Sequence, residues 1–433
     1  MGTQVDLPTI SWTAQGAPHA ARWRSESGQS APGRVVLADD SMDADTAYRL
    51  ACEGTGLLWC GDFQNGRQLL QALTRRADRS REKSRVPSAP AGRRRDRGGT
   101  APAAAEPGPA GARPAAAASP ADAAQAFHQH RQAQAQRART LGMLLLRLEG
   151  DHSLALRRAP DLRQACTEAY GPGRDDDGPY VASMRELLGL VSAHEWRTKG
   201  VPVAALDARI HPHYGVFAPV RNEYLALVAQ APLPQAAKDT SLAWDIGTGT
   251  GVLAALLTRR GLQRVRATDC DPRALACAAD NLQRLGLAQA VELLQCDLFP
   301  PGRAPLIVCN PPWLPARPTA PIEAAVYDPN SRMLRGFLAG LGSHLAPGGE
   351  GWLVLSDLAE HLGLRTRAEL LGWIDGAGLR LIKRTEVRPV HAKVQDPGDP
   401  LHRARAAERT SLWRLAALPG PAPPAAGQRA APA

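Results

Sequence analysis

The chain has 433 residues, 44% of them apolar and 22% charged, and a formal charge of +10; at roughly 100–200 residues per domain it has room for two folded units plus linkers. No stretch approaches the ~18 consecutive apolar residues of a membrane span, and Met1 to Asp6 lacks the basic-then-apolar pattern of a secretory leader, so a cytoplasmic chain with no membrane partner is expected. The seven cysteines (Cys52, Cys60, Cys166, Cys270, Cys277, Cys296, Cys309) are odd in number and include no Cys-x-x-Cys pair, which excludes an obvious disulfide framework or zinc motif.

In chain order, Arg34 to Ala38 reads as a strand, Asp43 to Glu53 as a helix, Gly56 to Trp59 as a strand and Gly66 to Arg76 as a helix. From about Val86 to Asp122 the sequence turns Ala/Pro/Gly/Arg-rich without apolar periodicity, a composition that cannot offset its ordering entropy, so a disordered linker is expected over 81–122 and a similar tail over 419–433. Beyond the linker, Ala123 to Leu148, Pro160 to Tyr170 and Tyr180 to Ala193 read as helical. Residues 1–80 and 123–200 thus form one small α/β accessory unit with a disordered insertion, whose own function is not legible.

Between Arg75 and Arg97, ten basic residues stand against three acids. Such a run either holds phosphates with salt-dependent, sequence-blind affinity or is a solvated linker. Val201 to Pro219 suggests a hairpin or irregular strand pair. His211 and His213 share one face there but lack Cys, Asp or Glu company, so structural roles are expected and no metal site is assigned.

Residues 201–418 alternate strand and helix. Strands are expected at Ser241–Asp245, Arg264–Asp269, Val291–Cys296, Pro305–Cys309, Gly351–Leu355, Leu379–Val387 and Ser411–Leu415, with helices over 252–260, 272–285, 331–345 and 365–377. Seven strands with intervening helices imply a doubly wound sheet, which binds ligands beyond the carboxyl ends of its strands.

Those ends carry the chemistry. Asp245-Ile-Gly-Thr-Gly-Thr-Gly251 links the first strand to a helix, and Gly247, Gly249 and Gly251 let the backbone turn tightly and approach a ligand beside Thr248. Asp269 ends the next strand, about twenty residues on, where a carboxylate accepts from ribose hydroxyls; Asp297 follows the third. The fourth closes on Asn310-Pro311-Pro312-Trp313. Two prolines stiffen the backbone and remove two amide donors, leaving the Asn310 side-chain oxygen and the Pro311 carbonyl as acceptors suited to an NH2 group, with Trp313 as a flat face for a planar substrate.

These four pieces, in this order over about Tyr214 to Leu415, resemble the class I methyltransferases of the small methyltransferase domain type, related to the release-factor glutamine and ribosomal-RNA guanine methyltransferases. The resemblance implies a Rossmann-like seven-stranded domain and S-adenosyl-L-methionine as cofactor. In it the glycine loop (Asp245, Gly247, Thr248, Gly249, Gly251) embraces the methionine part, Asp269 holds the ribose, Asp297 lies by the adenine amine, and Asn310 to Trp313 grip the target nitrogen, Asn310 also bordering the cofactor. Asp271, past the strand end, is the poorer ribose ligand. Two departures stand out: the aromatic is Trp where relatives carry Tyr or Phe, and Tyr214 to Arg221 does not reproduce the Pro-Arg-Pro-x-Thr-Glu pattern of the release-factor enzymes.

The implied reaction is an in-line displacement in which a nitrogen attacks a sulfonium methyl, with orientation rather than a general base supplying the catalysis. An exocyclic base amine in RNA or DNA is favoured, from the basic segment and Trp313, flipped out or single-stranded; the alternatives are a protein glutamine amide, a small molecule, or a catalytically idle binding module. The accessory unit is expected to steer the substrate; the oligomeric state is open.

Overall fold

The computed structural model describes residues 8–85, 119–318, 321–390, 396 and 398–418. The amino-terminal unit runs β1 (Thr9–Ala14), β2 (Ala17–Trp23), β3 (Arg34–Ala38), α1 (Ala44–Cys52), β4 (Thr55–Trp59), α2 (Phe63–Arg85), α3 (Pro120–Leu141), β5 (Leu144–Leu148), α4 (Arg163–Tyr170), β6 (Tyr180–Ser183) and α5 (Met184–Lys199). Its six strands form one sheet in the order β1-β2-β6-β5-β4-β3, so strands from both sides of residues 86–118 share a single core. The expected disorder of that tract and of 419–433 lies outside the described residues.

Several expectations for this unit are corrected. α2 continues past Arg76 to Arg85, into the basic run. α3 starts at Pro120, inside the expected linker, because Ser119 caps it reciprocally with Asp122. Within the expected helix Ala123 to Leu148, residues 144–148 are a strand, and the helix expected from Tyr180 begins as one too. Both are short apolar runs buried in the sheet, and periodicity alone does not separate such a strand from a buried helix. The hairpin β1–β2 has no counterpart in the sequence reading.

A short antiparallel pair, β7 (Val201–Val203) and β8 (Ala208–Ile210), matches the irregular pair expected there. The second unit continues with α6 (Glu223–Gln230), α7 (Gln235–Thr240), β9 (Leu242–Ile246), α8 (Val252–Arg259), β10 (Arg264–Asp269), α9 (Pro272–Arg284), β11 (Val291–Gln295), β12 (Ala304–Cys309), α10 (Arg332–His344), β13 (Leu345–Ser356), α11 (Leu358–His361), α12 (Arg367–Gly376), β14 (Leu379–Val387), α13 (His402–Ala407) and β15 (Thr410–Ala417). The expected seven-stranded Rossmann-like sheet is present, ordered β11-β10-β9-β12-β13-β15-β14, its last two strands antiparallel to each other and β15 antiparallel to β13. Helices cover both faces; Trp352 and Val308 lie in the core cluster of one, Trp244 and Phe337 in that of the other. Burying a side chain such as Phe337 contributes roughly 1.5–3 kcal/mol.

β9 lies between β10 and β12, and the strand order reverses there. In an open α/β sheet this reversal splays the connections apart and leaves a crevice beyond the carboxyl ends. No helix among the described residues is long and apolar enough to cross a membrane.

Candidate active site

A cavity of about 440 Å³ opens at that crevice, lined by the carboxyl ends of β9, β10, β11 and β12. It brings together Gly247, Thr248, Gly249, Asp269, Asp297 and the whole of Asn310 to Trp313. Asp245 and Gly251, expected to touch the cofactor, stand behind the wall rather than in it.

Asp245 is fully buried in mid-sheet, flanked by Ala267 of β10 and Val308 of β12. Its Oδ2 accepts the Thr248 hydroxyl at 2.7 Å and the Ala254 amide at 3.0 Å, stapling the glycine loop to the start of α8. Oδ1 has no hydrogen-bond partner. Burial pushes this carboxyl up to about 7, against the opposing hydrogen bonds. Gly251, at φ +79°, lets the loop pack on α9: a Cβ there would sit 3.2 Å from Ala278 Cα. Gly249, at φ +55°, differs: a Cβ there meets no atom within 4 Å, so the space before it is open.

Asp269 closes β10 with its carboxylate oriented by two backbone donors, Gly249 N to Oδ2 and Asp271 N to Oδ1, both at 3.0 Å. A carboxylate offers about four acceptor sites, so two remain. Burial raises its pKa, and hydroxyl donors from a ligand would relieve that penalty. Asp271 instead caps α9, accepting from Arg273 N at 2.9 Å, as its position beyond the strand suggests. Asp297 lines the same cavity in an exposed ion pair with Arg332 of α10. Open space before Gly249, a pre-aimed carboxylate at Asp269 and a cavity of ligand size together fit an adenosyl group with vicinal hydroxyls.

Asn310 follows β12 directly. Its Oδ1 accepts from Trp313 Nε1 at 3.0 Å, and Tyr224, a buried residue of α6, lines the same cavity. Trp313 is half-buried against both core clusters of the sheet, and the Arg221 guanidinium lies 5.3 Å from its ring centroid. Arg221 is held in turn by Glu408 at 2.8 Å, which accepts from Ser356 Oγ at 2.6 Å. Burial lifts the Tyr224 phenol far above its usual range, so it stays neutral.

The sequence reading missed the part of the cavity wall around Leu314. Phe127 and His130 come from α3 of the amino-terminal unit, and Leu401 and Arg405 from the segment around α13. Phe127 is buried in one cluster with Leu314, Leu358, Leu362 and Leu401. Arg131 of α3 donates to the Arg317 carbonyl at 2.8 Å and stacks 3.9 Å from the Tyr327 ring centroid. Contacts across nearly two hundred residues leave no local pattern to read. His211 and His213 are structural: the Nδ1 of the first lies 2.6 Å from the Arg197 carbonyl, and the Nε2 of the second lies 3.2 Å from Asp280 Oδ2.

Residues 207–367 match the family model described as the methyltransferase small domain. A release factor glutamine methyltransferase of Cereibacter sphaeroides is 34% identical over 149 residues, 31% of this chain and 51% of that protein. A ribosomal protein L11 methyltransferase of Pelotomaculum thermopropionicum is 46% identical over 69 residues, 16% of this chain and 22% of its own length. The chain thus spans about half or less of these relatives. Among solved structures, a ribosomal protein L11 methylase from Lactobacillus delbrueckii subsp. bulgaricus aligns at 16% identity with a TM-score of 0.32, covering 49% of this chain and 86% of that one.

Proposed function

We propose that this chain, whose residues 207–367 match the methyltransferase small domain, is an S-adenosylmethionine-dependent N-methyltransferase that modifies a planar NH2 group on a macromolecule. The observation that carries the reading is the convergence on one cavity of a pre-aimed carboxylate, Asp269, and an amide whose oxygen is held by Trp313, Asn310. Asp269 takes the ribose hydroxyls, the loop from Gly247 to Gly249 the methionine part, and Asp297 borders the adenine. Bound there, the cofactor supplies an electrophilic methyl on a sulfonium sulfur.

The chain's own part is orientation. Asn310 Oδ1 and the Pro311 carbonyl accept the two N–H bonds of the substrate nitrogen and turn its lone pair out of conjugation. Pro311 and Pro312 keep this edge free of competing amide donors. As the nitrogen becomes cationic, both acceptors grip harder, which lowers the barrier without a general base. No His or Glu is needed to remove a proton before attack.

An exocyclic base amine of RNA or DNA is the first substrate reading. The basic run supports it, since α2 carries that run as helix as far as Arg85. A protein glutamine amide is the second, supported by the 34% match over 149 residues to the release factor enzyme. With Phe127 and His130 lining the same cavity as Asn310, the amino-terminal unit would contribute to acceptor selection. Transfer of labelled methyl into separate RNA, DNA and protein fractions from cells lacking the gene tests the reading. Label in nucleic acid supports the first substrate and label in a protein band the second; a wild-type chain that does not bind S-adenosylmethionine overturns both.

A further inference from the structure

Trp313 stands where the flat face for a planar substrate is expected, yet it is half-buried and much of its ring is already in contact with the protein. It packs into both core clusters, and the Arg221 guanidinium lies 5.3 Å from its centroid. Its one polar atom, Nε1, is spent on Asn310.

That bond is informative because an indole N–H can only donate. The atom it meets on Asn310 is therefore the oxygen, which settles the orientation of an amide whose two ends otherwise look alike. The amide oxygen is thus held by a rigid aromatic side chain three residues further along the same loop. One lone pair of Oδ1 is engaged by Trp313, and the second remains for the substrate.

We propose that Trp313 is a positioning residue, whose indole N–H fixes the Asn310 amide with its free oxygen lone pair toward the acceptor nitrogen, and is not a stacking platform. The assignment rests on the methyl-transfer reading of the site. Phe or Tyr at this position would fill similar space but could not place an N–H donor at this point of the ring. Arg221, braced by Glu408 and Ser356, sets the Trp313 ring from the other side.

Full-length wild type, Trp313→Phe and Asn310→Leu test it. In ¹H–¹⁵N spectra of the full chain labelled at its nine tryptophans, the indole signal missing from Trp313→Phe identifies Trp313. Asn310→Leu should move that signal upfield as the hydrogen bond is lost. An unmoved signal overturns the bond, and with it the proposal. This arm needs neither cofactor nor activity, so it remains decisive even if S-adenosylmethionine fails to bind and the functional reading falls.

In the kinetic arm the acceptor is total RNA or total protein from cells lacking the gene, whichever takes label. Trp313→Phe should keep S-adenosylmethionine affinity and acceptor KM within about two-fold while kcat falls about ten-fold, the equivalent of one lost neutral hydrogen bond. A ten-fold rise in acceptor KM at unchanged kcat would instead make Trp313 a platform, and unchanged kcat and KM together would leave it no positioning role; either result overturns the proposal.

Discussion

Gly363, in the turn after α11, sits against the carbonyl oxygen of Pro120, the first residue of α3; a Cβ built on Gly363 would lie 2.1 Å from that oxygen. Its φ of +66° adds backbone strain for any other residue. Gly363→Ala is therefore expected to push α3 off the cavity, lowering methyl transfer with little change in S-adenosylmethionine affinity. Gly378→Ala is the control, with a φ of +65° and no atom within 4 Å of its Cβ. Hydrogen exchange at Phe127 should rise in the first variant and not in the second.

Cofactor binding and turnover should separate between two strand ends. Asp269→Ala removes an acceptor already aimed by two backbone amides and is expected to weaken S-adenosylmethionine binding about 10–100-fold. Asn310→Ala should leave that affinity within about three-fold and lower kcat about 10²–10³-fold, since its acceptor acts as charge develops. Calorimetric binding and single-turnover rates read the two effects. The reverse pattern would mean the roles are misassigned.

Two glycines of one loop should fail differently. Gly249→Ala and Gly251→Ala share left-handed strain of about 1–2 kcal/mol, but only the second presses on Ala278. Gly251→Ala is expected to lose more thermal stability, while Gly249→Ala loses at least ten-fold in cofactor affinity because its methyl enters open space in the cavity wall. Melting curves with and without S-adenosylmethionine distinguish the two.

Asp245 predicts a pH dependence of the unliganded protein. Its carboxyl rises from 3.8 to about 7 on folding, so the native state holds the proton more tightly than the unfolded chain. The associated stability is fully present below about pH 4 and is lost as pH climbs through 7, on the order of 4 kcal/mol in all. Asp245→Asn keeps an acceptor for the Thr248 hydroxyl and should flatten the melting-temperature profile between pH 4 and 7. A residual slope of the same sign is expected from Asp269 and Asp328, which burial also shifts upward. An Asp245→Asn profile as steep as wild type would refute the assignment.

What could be read from the sequence followed the locality of the signal. The second unit was legible nearly element by element, because its strands end on acids, glycines or prolines that punctuate the pattern; β10 and β14 fall on the expected residues. Asn310, Asp269 and Gly249 were found because each is fixed by its own strand end. Asp245 was placed in the cavity because adjacency in sequence does not reveal which way a strand residue faces, and here the side chain points into the loop's support. Tyr224 lay in a helix that went unrecognised, α6, and the buried neighbours of Phe127 begin only at Leu314. Leu144 to Leu148 was taken as helix because a run buried on both faces shows neither the period of a strand nor that of a helix.

The 22-residue α3 reaches roughly 33 Å at 1.5 Å per residue, with Leu141 in the core of the first sheet and Phe127 in the wall of the second unit's cavity. A fragment beginning at residue 201 would keep the glycine loop, Asp269 and Asn310, yet expose Leu314, Leu358, Leu362 and Leu401 to water where Phe127 had covered them. A fragment confined to the stretch that matches the family model is therefore expected to fall short of the full chain in methyl transfer. The expected remedy is a longer piece that includes a helix encoded before that match begins, together with the sheet into which that helix packs.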